Sequence, residues 1–241
     1  MTRPLRVGIA QLPACFGDAA GQLARLEQLL ATHRADLVLL PELALTGYVS
    51  PRGNFDVTPW AEDLDGPTAQ ALADLARRQG VALAGPLVER AGGHFFNSLL
   101  LFDAEGRRIG HWRKQHPWYP EAWACPGNLG TPVVEVNGVK LCAALCFDLH
   151  FIEQEAWDEL QAADLLLFPS AWVEEHDSRN DRLAALARRH GLAIANANWG
   201  AGAPFLPSQG LSMIVDAQGA RVASTTPHST TAWCEAHLVF P

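Results

Sequence analysis

Residues 35–41 read Ala35-Asp36-Leu37-Val38-Leu39-Leu40-Pro41, and the same text returns as Ala163-Asp164-Leu165-Leu166-Leu167-Phe168-Pro169. Each copy is a short, wholly apolar run closed by proline. A strand that alternates apolar and polar residues has one wet face, so a run with no alternation predicts a strand covered on both faces. Working outward, the repetition continues. Leu72-Ala73-Asp74-Leu75-Ala76-Arg77-Arg78-Gln79-Gly80 returns as Leu183-Ala184-Ala185-Leu186-Ala187-Arg188-Arg189-His190-Gly191. Asp103-Ala104-Glu105-Gly106 returns as Asp216-Ala217-Gln218-Gly219, in the same order along the chain. Ordered self-similarity of this kind marks a duplicated architecture. The two copies span about 5–113 and about 139–237.

Both copies follow one plan. A strand (residues 5–12, or 139–145) leads into a helix with apolar residues at helical spacing. These are Leu23, Leu26, Leu29 and Leu30 in the first copy, and Ile152, Ala156, Trp157 and Leu160 in the second. The apolar strand follows, then a second helix ending at Gly80 or Gly191, where a glycine can take the left-handed C′ position. Another strand comes next, and each copy closes with a hairpin turning on Asp-Ala-Glu-Gly or Asp-Ala-Gln-Gly. A half built this way covers one sheet face with helices and leaves the other bare. Two halves packed sheet on sheet remove both bare faces from water. The expected fold is therefore α+β, a four-layer αββα sandwich with an internal pseudo-twofold repeat, forming a single domain over residues 1–241. Residues 115–131, rich in Pro, Trp and Gly, read as an ordered loop between the halves.

Composition agrees. The 241 residues amount to about 1.6 average domains. They are 49% hydrophobic and 18% charged, which excludes disorder. The net charge of −8, with no basic stripe, argues against nucleic-acid binding. No apolar run approaches the ~20 residues that span a bilayer, so no membrane association is expected. The start of the sequence shows no secretory pattern. Five cysteines (15, 125, 142, 146 and 234) form no CxxC pair. An odd count without a secretory pattern points to free thiols and a cytoplasmic setting.

In sheets with parallel strands, chemistry gathers beyond the carboxyl ends of those strands. Glu42 follows Pro41 there, Cys146 follows the strand 139–145, and Ser170 holds the repeat position of Glu42. The copies thus differ where chemistry would differ. A thiol must lose its proton to attack a carbonyl carbon, and a glutamate alongside can take it. A lysine near both can stabilise an oxyanion, and Lys114 lies just past the first copy's hairpin. From the residues alone, Cys146 also reads as a small buried apolar group, Glu42 as a helix cap and Lys114 as an edge charge. His111 and His116 flank Lys114 without metal-ligand spacing, and no metal or cofactor is expected.

Three stretches resemble one known family. Leu40-Pro41-Glu42-Leu43-Ala44-Leu45-Thr46-Gly47-Tyr48 resembles the glutamate motif of the nitrilase superfamily, the carbon–nitrogen hydrolases. Trp112-Arg113-Lys114-Gln115-His116 resembles its lysine motif, and Leu145-Cys146-Phe147-Asp148-Leu149-His150-Phe151 its cysteine motif. The stretches 164–172, 198–200 and 212–219 resemble later segments of the family, so the similarity covers nearly the whole chain. The resemblance implies an αββα sandwich that assembles as a homodimer or higher homo-oligomer. It implies Glu42 as general base, Cys146 as nucleophile, Lys114 as oxyanion stabiliser and the backbone N–H of Phe147 as second oxyanion donor. Glu121 matches a second glutamate that orients the lysine or the substrate. Tyr48, Trp118, Tyr119, His150, His176 and Trp172 are candidates for the pocket wall, and Asp148 for a structural hydrogen-bonding role.

The reaction implied is hydrolysis of a small carboxamide to acid and ammonia through a Cys thioester. The Cys-aromatic-Asp order at 146–148 ranks an amidase above an N-carbamoyl amide hydrolase, and both above a nitrilase. A silent binder of small molecules and transfer of the acyl group to an amine are the other readings. Two departures narrow the resemblance. Residues 185–190 lack the family's Arg-Ala-hydrophobic-Glu-Asn run. The cysteine motif continues with His150-Phe151-Ile152-Glu153 and no arginine. Without that bidentate partner, a dicarboxylic acid monoamide is a poor substrate candidate.

Overall fold

The computed structural model describes residues 2–241; Met1, within the expected domain 1–241, lies outside the described residues. The first half runs β1 (Arg3–Gln11), α1 (Ala19–Thr32), β2 (Leu37–Leu39), α2 (Pro67–Gln79), β3 (Ala82–Ala91), β4 (His94–Phe102) and β5 (Arg108–Arg113). The second half runs β6 (Val134–Val136), β7 (Val139–Ala143), α3 (Ile152–Glu155), α4 (Trp157–Ala162), β8 (Leu165–Ser170), α5 (Arg179–His190), β9 (Ala193–Asn198), β10 (Met213–Val215) and β11 (Arg221–Ser224). The last strand is β12 (Ala232–Phe240).

Two six-stranded sheets form, ordered β12-β1-β2-β3-β4-β5 and β11-β10-β9-β8-β7-β6. In each, three strands are parallel (β1-β2-β3 and β7-β8-β9), and the hairpin strands add antiparallel to them. The topologies match strand for strand, so the textual repeat is a structural one. Between the sheets, Val7, Ile9, Leu37, Leu39, Leu99 and Trp112 meet Leu141, Leu165, Leu167, Ala195 and Ile214. The alternate residues of the same strands point outward. Val38, Leu40 and Leu83 pack on Leu26, Leu72 and Leu75 of α1 and α2. Leu166, Phe168 and Ile194 pack on Leu160, Leu183 and Leu186 of α4 and α5. A strand with both faces buried has no use for a polar alternate, which is why these runs are apolar throughout.

The hairpin turns repeat in detail. Asp103 Oδ1 accepts the N–H groups of Glu105 and Arg107, and Asp216 Oδ1 those of Gln218 and Ala220. Gly106 and Gly219 have φ of +79° and +77°, and a Cβ at either would lie 2.6 Å from the carbonyl oxygen of Ala73 or Ala184 on the helix beneath. Both the left-handed conformation and the close approach demand glycine. Gly80 and Gly191 close α2 and α5 in the left-handed region, as expected.

The structure corrects three details. The helix expected through Ile152, Ala156, Trp157 and Leu160 is two short pieces, α3 and α4, broken at Ala156 (φ −137°, ψ 39°). The break turns Trp157 away from the core, leaving it 48% exposed. The strand closed by proline in the second half runs through Pro169 to Ser170. Pro169 has no N–H to donate, but β7 pairs with β8 only as far as Leu167, so no neighbour on that side needs one. Finally, β12 leaves the second half's sheet and pairs with β1 along its whole length, from Arg3 opposite Phe240 to Gln11 opposite Ala232.

Candidate active site

The carboxyl ends of β2 and β7 and the exit of β5 converge at one end of the sandwich. After β2 the chain turns tightly at Glu42, with Leu43 at φ 48° and the Gly47 N–H bonded to the Leu43 carbonyl at 2.7 Å. This turn aims Glu42 inward, and it is 2% exposed. Lys114 follows β5. Its backbone stays in the ladder, donating to Asn97 O and accepting from Gly127 N, both at 2.8 Å. Its side chain is fully buried. The expected 115–131 loop is ordered by such bonds, including Cys125 N–H to Phe95 O at 2.8 Å, and it delivers Glu121 to the lysine.

Lys114 Nζ donates to Glu42 Oε1 at 2.7 Å and to Glu121 Oε2 at 2.5 Å. An ammonium has three donors, so one is left for a third acceptor. Burial alone would push the lysine's pKa down, but Glu42 and Glu121 outweigh it and hold it protonated. Burial raises the pKa of Glu121, and the Glu42 charge adds to that shift against the opposing pull of Lys114. Glu121 Oε2 also accepts the Trp118 N–H at 2.7 Å.

Cys146 opens a 3-10 turn, Cys146–His150, with φ 48°. A non-glycine residue in that region is strained, and such strain persists only where the surroundings impose it. Asp148 imposes it: its carboxylate accepts N–H groups from Gln115, His116 (2.8 Å) and Leu145 (3.3 Å), stapling the cysteine turn to the lysine segment. The structural role expected of Asp148 is what these bonds describe. Burial and then the Glu42 charge push the Cys146 thiol well above the ordinary thiol range, against the pull of Lys114 and the Ala171 N–H. Both influences favour the neutral thiol over the thiolate. The Phe147 N–H lies in the first turn, where a helix leaves its amides without internal partners.

A cavity of about 140 Å³ opens over Cys146, lined by Trp118, Phe147, His150, Ala171, Trp172, Val173 and Glu174. Three of the aromatic candidates, Trp118, His150 and Trp172, are on its wall. His150 stacks on Trp172 with centroids 5.7 Å apart, and burial lowers its pKa, with Arg182 adding to the effect. Tyr48 is a layer behind: 4% exposed, its ring centroid 5.9 Å from Lys114 Nζ and 6.0 Å from the Trp199 ring. Tyr119 is a correction. It is 92% exposed and turned to solvent, because the 118–121 turn that sends Trp118 inward sends its neighbour out. His176 is not on the cavity wall either.

Sequence reasoning missed two groups. Asn97 Nδ2 donates to Glu42 Oε1 at 2.9 Å and to Glu121 Oε1 at 2.7 Å. The Ala171 N–H donates to Glu42 Oε2 at 3.0 Å. Asn97 left a faint signal as the one amide in the apolar run of β4, where asparagine is disfavoured. Among the described residues, Asn97 Oδ1 and Trp172 Nε1 are buried side-chain atoms without a partner. Buried polar groups are normally paired, and both exceptions sit at this site. No His/Cys/Asp/Glu group among the described residues is arranged to hold a metal ion.

Comparisons with known proteins bear on the family and the fold. A family model described as carbon–nitrogen hydrolase matches residues 6–238. A Pseudomonas protegens protein described as a hydrolase in the pqqF 5′ region is 33% identical, over 92% of this chain and 79% of its own. The N-carbamoylputrescine amidase of Solanum lycopersicum is 30% identical over 66% of this chain, which spans 56% of that relative's length. An (R)-stereoselective amidase of a Pseudomonas species is 29% identical over 89% of this chain and 78% of its own. In fold, the chain superposes on a CN-hydrolase superfamily protein of Xanthomonas campestris with a TM-score of 0.82, at 23% identity, covering 98% of this chain and 90% of that one. The chain belongs to the carbon–nitrogen hydrolase family and is a hydrolase of carbon–nitrogen bonds other than peptide bonds.

Proposed function

We propose that the protein is a thiol amidase that converts a small carboxamide to the acid and ammonia, with Cys146, Glu42, Lys114 and Glu121 as its catalytic group. The observation that carries this reading is the buried Lys114 ammonium, clamped between Glu42 and Glu121 beside a cavity floored by Cys146. The neutral thiol passes its proton to Glu42 as sulfur bonds to the amide carbon. The oxygen of that carbon becomes an oxyanion, met by the third Lys114 donor and the Phe147 N–H. Collapse of the tetrahedral adduct breaks the carbon–nitrogen bond, and the proton on Glu42 leaves with the nitrogen as ammonia. A thioester remains on Cys146. Water then attacks it, giving a proton to Glu42, and the acid departs as the thiol is restored. Glu121 keeps Lys114 in place throughout.

The cavity supports a small, largely apolar acyl group, since Trp118, Phe147, Trp172 and Val173 form most of its wall. Its wall carries no lysine or arginine, and Glu174 would repel a distal carboxylate. Both features favour a neutral or cationic amide over a dicarboxylic acid monoamide. The site draws Glu42 and, just past β5, Lys114 from the first half, Glu121 from the loop that joins the halves and Cys146 from the second, so we read residues 1–241 as one domain. A homo-oligomer and a cytoplasmic setting belong to the same reading.

Purified protein incubated with carboxamides, ureido compounds and nitriles tests it. Ammonia is expected from carboxamides and is expected to vanish in Cys146→Ala. Ammonia from nitriles alone, or undiminished turnover in Cys146→Ala, overturns the proposal.

A further inference from the structure

Asn97 stands on β4 with its side chain fully enclosed between two carboxylates, Glu42 and Glu121. Its amide orientation follows from chemistry: both neighbours offer only acceptor oxygens, so Nδ2 must face them. Together with Lys114 this makes a closed ring. Lys114 Nζ reaches Glu42 Oε1 and Glu121 Oε2, and Asn97 Nδ2 reaches Glu42 Oε1 and Glu121 Oε1. Two donor groups thus hold together two carboxylates that would otherwise repel each other.

The ring has a consequence for the proton. A carboxylate oxygen has about two lone-pair sites. On Glu42 Oε1 both are taken, one by Lys114 at 2.7 Å and one by Asn97 at 2.9 Å. Oε2 accepts only the Ala171 N–H, at 3.0 Å, and keeps one site open. Ala171 also lines the cavity over Cys146. We propose that Asn97 is a positioning residue of the reaction: by filling the second site on Glu42 Oε1, it confines proton exchange to Oε2, the oxygen that takes the N–H of Ala171 on the cavity wall. This inference rests on the thiol-amidase reading of the same site and adds to it the atom that carries the proton.

A packing role alone does not explain an asparagine here. Its neighbours on the same face of β4, Phe95 and Leu99, are apolar, and Oδ1 is buried without a partner. An apolar side chain would fill the space and leave no orphaned oxygen.

The test uses iodoacetamide as the probe, with alkylation of Cys146 followed by intact-mass and peptide mass spectrometry across pH 5–9. Asn97→Leu removes both donors at similar volume. It is expected to slow alkylation of Cys146 at pH 7 by about ten- to a hundredfold. It is also expected to move the acid limb of the profile up by about one pH unit, because carboxylates that lose their donors keep protons to higher pH. Asn97→Ser, which retains one donor, is expected to fall between Asn97→Leu and the native protein, and it carries the test if Asn97→Leu does not fold. Ser98→Ala changes the adjacent residue on the opposite face of the strand and is expected to leave the acid limb in place. A folded Asn97→Leu or Asn97→Ser protein with the native rate and acid limb overturns the role of Asn97, as does a loss uniform across pH. Failure of the amidase reading looks different: Cys146 in the native protein then alkylates no faster than Cys15.

Discussion

Asn97 and Ser98 are neighbours on β4, and they face two different buried clusters of charge. Ser98 donates to Glu89 Oε2 at 2.6 Å, and the same carboxylate takes His111 Nε2 and Arg113 Nε, both at 2.9 Å, with Arg113 Nη2 on its other oxygen. Arg113 in turn covers the Phe96 ring at 3.9 Å and reaches Asn128 at 2.7 Å. Arg113 and Lys114 are also neighbours in sequence, sent to opposite sides by the strand's period of two. One cluster therefore has one carboxylate served by four donors, and burial's upward push on Glu89 is outweighed until its pKa falls to about 2. The other has two carboxylates for one ammonium, a thiol whose pKa burial and Glu42 push up, an orphaned amide oxygen and an unused lysine donor. A fully satisfied network resists proton movement and holds the fold. A network with one acceptor site and one donor left open can exchange a proton and receive a substrate.

The sharpest way to break this contrast is Lys114→Met. It leaves Glu42 and Glu121 buried without their counter-ion, and removing one partner of a buried pair costs about 3–5 kcal/mol. Thermal melts are expected to show that loss alongside complete loss of turnover. A protein that melted like the native one would mean the site is no more tightly charged than a surface. Glu89→Gln should cost about 3 kcal/mol on the same grounds while leaving the pH profile of Cys146 alkylation unmoved. Its signature lies in acid. Glu89 has a folded pKa of about 2 against an ordinary 4.5, so its stabilisation is complete above that ordinary value and drains away as pH falls toward 2. Melting temperature should therefore drop less steeply over that range in Glu89→Gln than in the native protein. An equally steep drop would deny Glu89 its structural role. The smallest effect sharpens the boundary of the site. Tyr119→Ala removes a 92% exposed ring and is expected to change stability by less than about 0.5 kcal/mol and to leave turnover intact. A tenfold loss of turnover there would bring the loop tip into the substrate's path.

Much of this was legible before any coordinates. The strands of the two halves repeat their text because each must be apolar on both faces, and the turns at Asp103 and Asp216 repeat because each packs a glycine against a helix carbonyl. Glu42 and Cys146 are candidates because they follow strand ends and Lys114 because it lies just past a hairpin, and the resemblance of their three motifs to one family singles them out. Asn97 did not stand out, since its partners arrive from the β2 turn and from the 115–131 loop, and no local spacing encodes that meeting. Trp118 and Tyr119 were indistinguishable for a similar reason: one turn decides which aromatic goes inward. The break at Ala156 was hidden because Trp157 fits an apolar helical stripe in text, whereas in space it lies against His190 at the surface.

The exchange of β12 into the first half's sheet has a consequence for biosynthesis. β1 pairs with β2 over only three residues, from Val7 opposite Leu37 to Ile9 opposite Leu39. Its long partner, β12, follows it by nearly the whole chain, with Arg3 opposite Phe240. While the ribosome is still adding the second half, β1 has a bare edge of unpaired N–H and C=O groups, a template for pairing with another nascent chain. Loop closure over such a separation is entropically costly and slow. The final strand thus acts as a latch on the nascent protein: until it emerges and docks, the first sheet cannot seal its edge, and that interval is when the chain is most exposed to aggregation.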